Sequence, residues 1–374
     1  MVSLRYRTPP SRLSTADVRQ VLQSVVLRNP ALSHRIEFSR GVAYQEWYPA
    51  ECDFAELQVT GEDAVPGRVT EVIDECETSL DAAPMSARLI RYPEGDDLLL
   101  VFDHAFVDEQ SLLLIRRQLN APSSPDGRQL ARYRAAINDR KTFEDAAANE
   151  PGVKFWANRL AAVGGKFPRA QEKTTRVVPA VTLPSVAIPR SFGGTLFPYV
   201  LFSLHRALRD VAECGPTVIG YPWDGRNGAY TDVVGCFMNT AVSLDTTGPQ
   251  QASEATADFV NRWYEEIDYA DVPFTAVAAL DATFRGSVTA YLGYTHAVKS
   301  TVEIAGIPAV RIASSHGRTP PTCTFEAAAT VHGDELQLRL ILDEEVAGYG
   351  AQELGTRWSH WLNTAILSFP DWKP

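Results

Sequence analysis

The residues from Leu98 to Leu119 carry the side chains of this sequence that are best placed to do chemistry. His104 and Asp108 lie between an apolar run at 98–102 and a helical pattern that starts near Asp108. An imidazole on a short loop after a buried strand is held firmly and still meets a substrate. It can take a proton from an attacking amine or hydroxyl and return it to a leaving group. A histidine that only makes hydrogen bonds fits the same spacing, so the rest of the sequence has to decide.

The elements that position these residues are predicted from periodicity and from turn residues. Ser14 is predicted to cap a helix that ends at Asn29, because apolar residues repeat on one face between them. Further helices are predicted at 71–80, after 108, and at 130–138, 153–163, 195–211, 253–267, 274–284 and 353–367. Strands are predicted at 2–8, 33–38, 42–47, 87–92, 98–102, 177–188, 217–221, 236–244, 324–331 and 336–342.

Strands and helices are mixed in both halves without strict alternation, which predicts an α/β or α+β fold with mixed sheets. The stretch 164–175 is rich in glycine and charge and lacks periodicity, so we interpret it as a linker. A chain of 374 residues is also long enough for two lobes. The predicted division is 1–165 and 166–374.

Composition excludes several classes of protein. The formal net charge of -11 argues against nucleic acid as a partner. The five cysteines are odd in number and form no C-x-x-C pair, which predicts reduced thiols without a disulfide framework or a zinc cluster. The histidines show no metal-ligand spacing, so no metal is expected. No signal-peptide core or membrane-length apolar run is visible, which predicts a cytoplasmic protein that does not enter a membrane.

Several segments together resemble the condensation domains of nonribosomal peptide synthetases, in the superfamily of chloramphenicol acetyltransferase and other CoA-dependent acyltransferases. The signature of that family is H-H-x-x-x-D-G, and residues 103–109 read D-H-A-F-V-D-E. Four further segments are similar to family motifs and follow in the family's order: 21–38 (R-H-x-x-L-R-T-x-F at its end), 218–226 (G-x-P-x-x-G-R), 234–240 (V-G-x-F-V-N-T) and 272–277 (P-F-x-x-V). The resemblance covers nearly the whole chain.

The sequence departs from the family at identifiable places. Asp103 replaces the first signature His, Glu109 replaces the Gly, and Ser33 replaces the first Arg of the upstream motif. The chain is shorter than a usual condensation domain and lacks the N-terminal S-x-A-Q motif. No adenylation or carrier sequence follows, so the resemblance implies a free-standing protein.

The resemblance implies two chloramphenicol acetyltransferase-like lobes in a V, with an interlobe tunnel that holds the signature His at its middle. On this basis His104 is the predicted catalytic residue. It would orient or deprotonate an amine or hydroxyl that attacks a thioester carbonyl. Asp108 carries over as a structural residue that pairs with an Arg, and Arg226 is the candidate partner. A retained but inactive His104 is the alternative.

The remaining candidates are substrate-binding residues. Asp103 could accept a hydrogen bond from His104 or from another neighbour. Glu109 could narrow the tunnel, meet a cationic acceptor, or point to solvent as a first-turn helix residue. Trp223 could line the tunnel or pack beneath it, and the Asn239 amide could serve the lobe crossing or the sheet. Ser111 is expected to cap the helix and not to act as a nucleophile.

Three functions follow from this resemblance. The first is a condensation-type acyltransferase of natural-product (antibiotic) biosynthesis that joins a carrier-protein thioester to an amine or hydroxyl acceptor. Its partners would be an acyl or peptidyl carrier protein and a small-molecule acceptor. The second is a CoA-dependent acyltransferase on a small molecule. The third is a non-catalytic or reassigned relative that recruits a partner or cyclises a tethered intermediate. No bound cofactor is expected; the phosphopantetheine-linked or CoA-linked donor is a substrate.

Overall fold

The computed structural model describes residues 1–47, 51–78, 83–165, 167, 178–190, 192–212, 216–226, 228–246, 252–297, 300–312 and 325–367. Its helices are α1 Thr15–Arg28, α2 Val65–Thr78, α3 Glu109–Gln118, α4 Gln129–Ala147, α5 Glu150–Ala161, α6 Phe197–Ala212, α7 Ala252–Ile267, α8 Phe274–Ala279, α9 Glu344–Ala347 and α10 Ala351–Leu367. Its strands are β1 Val2–Thr8, β2 His34–Ser39, β3 Val42–Trp47, β4 Asp53–Gln58, β5 Met85–Tyr92, β6 Gly95–Phe102, β7 Ala180–Thr182, β8 Val186–Ala187, β9 Thr217–Trp223, β10 Asn239–Asp245, β11 Ala290–His296, β12 Thr301–Ile304, β13 Ile307–Ile312, β14 Phe325–His332 and β15 Glu335–Leu342.

The chain forms two compact units, and each is built from several segments. Unit 1 comprises Met1–Lys141, Arg226–Met238 and Lys299–His316. Unit 2 comprises Thr142–Gly225, Asn239–Val298 and Gly317–Pro374. Each unit holds one large mixed sheet, as the sequence predicts.

The sheet of unit 1 has the strand order β12-β13-β1-β6-β5-β4. Strand β6 lies between β1 and β5 and is buried along its whole length. Leu98, Leu100 and Phe102 face one apolar core, and Leu99 and Val101 face another. Burial on both faces is why this strand is an unbroken apolar run instead of an alternating one.

Two aspartates at the start of β6 are part of the buried strand. The sequence places Asp96 and Asp97 in a turn, but both side chains are buried beside arginines. Arg5 Nε donates to Asp97 Oδ2 at 2.6 Å, and Arg91 Nη1 donates to Asp96 Oδ2 at 2.9 Å. These ion pairs let β6 begin at Gly95, since a buried carboxylate needs a partner.

The sheet of unit 2 has the strand order β10-β9-β11-β14-β15-β7, with β8 also paired to β15. The β9–β11 and β11–β14 pairs are parallel and the other pairs are antiparallel. Helices α6, α7 and α10 pack with this sheet in one apolar core. No described helix is long and apolar enough to cross a bilayer.

The observed units differ from the predicted division at 165 and 166. Helix α5 lies before that boundary, yet Trp156 and Leu160 pack with Val218, Leu244 and Phe284 of unit 2. Conversely, β12 and β13 lie after it, yet β13 pairs with β1 of unit 1. Periodicity identifies a strand or helix but does not say which core it joins.

Several predicted elements have different bounds. The helix expected at 71–80 is α2, which starts earlier at Val65; Leu80 lies outside the described residues, as does most of the predicted linker. The strand expected at 177–188 is the two short strands β7 and β8, separated by Leu183-Pro184. The helix expected to reach 284 ends at Ala279, and Asp281 then accepts the amides of Thr283 and Phe284. Strands β4, β11, β12 and β13 were not predicted.

Candidate functional site

His104 lies on a pinned turn between β6 and α3. Asp103 N donates to Pro84 O at 3.1 Å, Phe106 N donates to Asp103 O at 3.1 Å, and Ala105 N donates to Asp103 Oδ1 at 2.9 Å. Phe106 and Val107 are buried and anchor the turn to the core. The His104 side chain is exposed, and among the described residues it has no hydrogen-bond partner. The imidazole is therefore held by its backbone and left open to a substrate.

Asp103 stabilises the backbone of this turn. Its carboxylate accepts the Ala105 amide two residues ahead, which is an Asx turn. A hydrogen bond between Asp103 and His104, one of the two possibilities for Asp103 in the sequence, is absent from the described contacts. Asp103 thus holds the main chain that presents His104, in place of the histidine that the family motif has there.

Asp108 is the N-cap of α3. Its Oδ1 accepts the Ser111 amide at 2.8 Å, so it satisfies one of the free N–H groups of the first turn. Its Oδ2 accepts the Phe237 amide at 3.1 Å. The carboxylate is 5% exposed, which leaves it little access to a substrate.

Arg226 is the ionic partner of Asp108, as expected from the sequence. Its Nη2 lies 2.6 Å from Asp108 Oδ1 and 2.8 Å from Oδ2, and both side chains are almost fully buried. Arg226 Nη1 donates to Tyr230 O and Val233 O, and the guanidinium lies over the Phe237 ring at 4.6 Å from its centroid. The pair therefore ties the residues 226–238 to the start of α3.

Ser111 and Gly235 complete this network, and neither residue was predicted to have this part. Ser111 Oγ lies 2.7 Å from Gly235 O and accepts the Gly235 amide at 3.0 Å. Gly235 has to be glycine here, because an added Cβ would lie 2.5 Å from Phe237 Cε2. The signal was a serine three residues after an N-cap aspartate, together with the V-G-x-F motif. Ser111 does not cap the helix, since Asp108 does.

This capture also explains why β10 begins later than predicted. The sequence predicts a strand from Cys236, but Gly235 and Phe237 direct their backbone amides at Ser111 and Asp108. The strand starts at Asn239, where the backbone is free to pair with β9.

The Cys236 side chain is exposed between these two anchored residues. Its thiol reaches solvent but is surrounded by protein on most sides, and this desolvation raises its pKa. The negative charges of Asp108 and, more weakly, Asp103 act in the same direction, against a lowering by Arg226. The thiol is therefore neutral near pH 7, and it is close enough to both carboxylates of the His104 turn to respond to their charge.

Glu109 is the first residue of α3 and is exposed. A carboxylate in the first turn of a helix interacts favourably with the helix dipole. This is the solvent-facing position that is one of the possibilities for Glu109 in the sequence, and its predicted part in substrate binding stays a prediction.

Trp223 and Asn239 belong to unit 2, whereas the other predicted site residues belong to unit 1. Asn239 Nδ2 donates to Ala270 O and Val272 O, each at 2.8 Å, and its Oδ1 accepts the Phe274 amide at 3.1 Å. Trp223 Nε1 donates to Asp271 Oδ1 at 3.2 Å. Both side chains fix the backbone before α8, which carries the P-F-x-x-V segment. Their predicted contact with substrate stays a prediction.

Comparison with known proteins identifies the fold. No protein-family profile matches the sequence. A linear gramicidin synthase of Brevibacillus parabrevis is 25% identical over 284 residues, which are 68% of this chain but only 4% of that protein. The chain therefore spans a small fraction of the curated relative it matches.

Solved structures agree over almost the whole chain. The X-domain from teicoplanin biosynthesis, in its complex with OxyB, has a TM-score of 0.75 at 17% identity and covers 98% of this chain and 88% of that one. The first condensation domain of the calcium-dependent antibiotic synthetase, in complex with a substrate analogue, has a TM-score of 0.69 at 14% identity (97% and 89% covered). The epimerization domain of the third module of tyrocidine synthetase B has a TM-score of 0.67 at 14% identity (98% and 92% covered).

Proposed function

We propose that this chain, which has the fold of the condensation, epimerization and X-domains of nonribosomal peptide synthetases, is an acyltransferase of the condensation type. It joins a carrier-protein thioester to an amine or hydroxyl acceptor, as an amide or an ester. The single observation that carries this proposal is the geometry of His104. An exposed imidazole stands on a turn that is fixed on one side by Asp103 and on the other by the buried Asp108–Arg226 pair.

In the proposed reaction the acceptor nitrogen or oxygen attacks the thioester carbonyl. A bond to carbon forms, the carbon–sulfur bond breaks, and the acceptor proton passes through the His104 imidazole to the leaving sulfur. A free α-amine has a pKa of about 8, so near neutrality much of the His104 effect on an amine comes from holding it in place. A hydroxyl acceptor depends more on His104 as a base.

The carboxylates of the signature segment have different parts in this proposal. Asp108 is structural, because both of its oxygens are occupied by Arg226, Ser111 and Phe237. Glu109 is exposed and so lies where solvent or a cationic acceptor can reach it. Asp103 adds a further negative charge on the turn itself. An acceptor that is cationic at neutral pH fits this surface better than an anionic one.

The proposal is tested by a mass-spectrometric transfer assay in which acyl-carrier and acyl-CoA donors are offered in parallel with a panel of amines and alcohols. Product from the carrier donor supports the proposal. Product from the CoA donor alone converts it to the second function, a CoA-dependent small-molecule acyltransferase. A complete lack of product from both donors contradicts acyl transfer. A cytoplasmic location is part of the proposal, in line with the predicted reduced cysteines.

A non-catalytic role is the second candidate, and two observations favour it. Two of the four fixed signature positions are changed, at Asp103 and Glu109. The X-domain in complex with OxyB is also among the similar structures, so a protein of this fold can present a surface to another protein. Calorimetric titration with a carrier protein that bears a non-hydrolysable acyl thioester, run beside the transfer assay, separates the two. Binding without transfer supports recruitment, whereas binding with transfer supports the enzyme.

A further inference from the structure

The Ser111 hydroxyl engages both backbone groups of one distant residue. Its Oγ accepts the Gly235 amide at 3.0 Å and lies 2.7 Å from the Gly235 carbonyl oxygen. It also contacts Asp108 Oδ1 at 2.8 Å and accepts from Arg226 Nη2 at 2.9 Å. Ser111 is fully buried, so these partners replace water for all the polar groups involved.

Helix capping does not account for this hydroxyl. Asp108 already accepts the free amide of Ser111 and caps α3. The Ser111 side chain is therefore left for another purpose, which is to hold Gly235. Asp108 holds Phe237 in the same way through its amide at 3.1 Å. The two residues that flank Cys236 are thus both attached to the first turn of α3.

We propose that Ser111 is a positioning residue of the acyl-transfer site: its hydroxyl clamps the Gly235 backbone and so fixes the Cys236 side chain beside the turn that carries His104. This inference rests on the proposed function. Cys236 is the exposed residue of the clamped segment, and it feels the charge of both Asp103 and Asp108. It is therefore part of the surface that a substrate meets next to His104.

Ser111→Ala tests the clamp without any assay of activity. Iodoacetamide reacts with the thiolate, so the rate at the Cys236 peptide, followed by mass spectrometry, reports the fraction of thiol that is ionised and accessible. In the parent protein the raised pKa of Cys236 keeps that fraction small at pH 8. Without the hydroxyl, Gly235 loses its partner, the segment moves away from the carboxylates, and the pKa falls toward its ordinary value. We expect faster alkylation of Cys236 at pH 8 and a lower midpoint of its pH profile.

Ser24→Ala is the matched control. Ser24 lies on α1 and makes the same bridge to another segment, donating to Ser123 O at 2.7 Å and accepting from Ser123 N at 2.9 Å. It removes an equivalent pair of bonds in the same unit but leaves Gly235 held. Alkylation of Cys236 in Ser24→Ala should match the parent. A general loosening of unit 1 would instead accelerate alkylation in both variants, and this result overturns the specific clamp.

The transfer assay supplies the second readout. If Ser111 positions the site, Ser111→Ala lowers kcat about tenfold or more with a smaller change in KM, because a misplaced wall disturbs the reacting geometry. Altered alkylation with an unchanged kcat overturns the positioning role, and unchanged alkylation overturns the clamp itself. If the parent transfers no acyl group, the proposed function fails, and alkylation still decides whether Ser111 fixes Cys236.

Ser111→Thr covers the case in which Ser111→Ala does not fold. It keeps the hydroxyl and adds one methyl group, so the bonds to Gly235 can persist. Alkylation of Cys236 at the slow parental rate supports the clamp. A folded Ser111→Thr protein that is alkylated as fast as an unfolded control contradicts it.

Discussion

At the scale of single residues, His104 and Asp108 share a signature but have opposite environments. The His104 side chain is exposed, whereas the Asp108 carboxylate is buried under several donors. The Arg226 pairing could be predicted, because a buried carboxylate needs a cation. The Ser111–Gly235 bridge could not, since it joins residues 124 positions apart through a hydroxyl and a backbone. No periodicity in a sequence records such a contact.

The buried ion pair gives a prediction about stability. Arg226→Ala leaves the Asp108 charge buried without its cation, which costs about 3–5 kcal/mol. The midpoint of urea unfolding, followed by fluorescence, measures the loss.

Arg132→Ala is the control, because Arg132 pairs with Asp232 of the same segment but both side chains are about half exposed. An exposed pair contributes roughly 0–1 kcal/mol. Equal midpoints for the two variants would show that the Asp108–Arg226 pair does not support the fold.

At the scale of elements, the strongest patterns were predicted and the weakest were missed. The helix that Ser14 caps and the central strand β6 follow from apolar periodicity and from a continuous apolar run. The short strands β12 and β13 carry little pattern of their own and depend on pairing with β1. The start of β10 was misplaced because side chains of another element capture the backbone before it.

Two helical glycines give predictions of opposite sign. Gly67 in α2 has open space where a Cβ would stand, so Gly67→Ala should stabilise the protein by about 1 kcal/mol through helix propensity. In α10 a Cβ on Gly355 would lie 2.3 Å from Leu183 Cδ2, so Gly355→Ala should destabilise it by about 1–3 kcal/mol through overpacking. Thermal unfolding of both variants measures the difference. A stabilised Gly355→Ala protein would contradict the close packing of α10 on Leu183.

At the scale of the whole molecule, the chain builds each unit from separated segments. Unit 1 needs residues 226–238 and the strands β12 and β13, which come from far along the sequence. The predicted division into contiguous halves was wrong because a linear pattern does not show which sheet a late strand will join. The mixed sheets and the residues around His104 were nevertheless predicted, since five ordered motifs constrain the fold even where each is weak.

This organisation predicts that the fragment 1–165 does not fold by itself. It would expose the edge of β1 that pairs with β13 and would lack Arg226 as the partner of Asp108. Urea unfolding of the fragment, followed by circular dichroism beside the full chain, should show no cooperative transition. A cooperative transition with a midpoint close to that of the full chain would contradict the assignment of β13 and 226–238 to unit 1.

The central claim is that His104 performs acyl transfer, and the most direct test compares two histidine variants in that reaction. His104→Ala removes the exposed imidazole of the signature turn, while His332→Ala removes an exposed imidazole at the end of β14 in unit 2. Single-turnover transfer from the productive donor gives the rate constant for each. We predict a loss of about 10²–10⁴-fold for His104→Ala, as expected when a general base is removed, with no change for His332→Ala. Undiminished transfer by His104→Ala would contradict the claim.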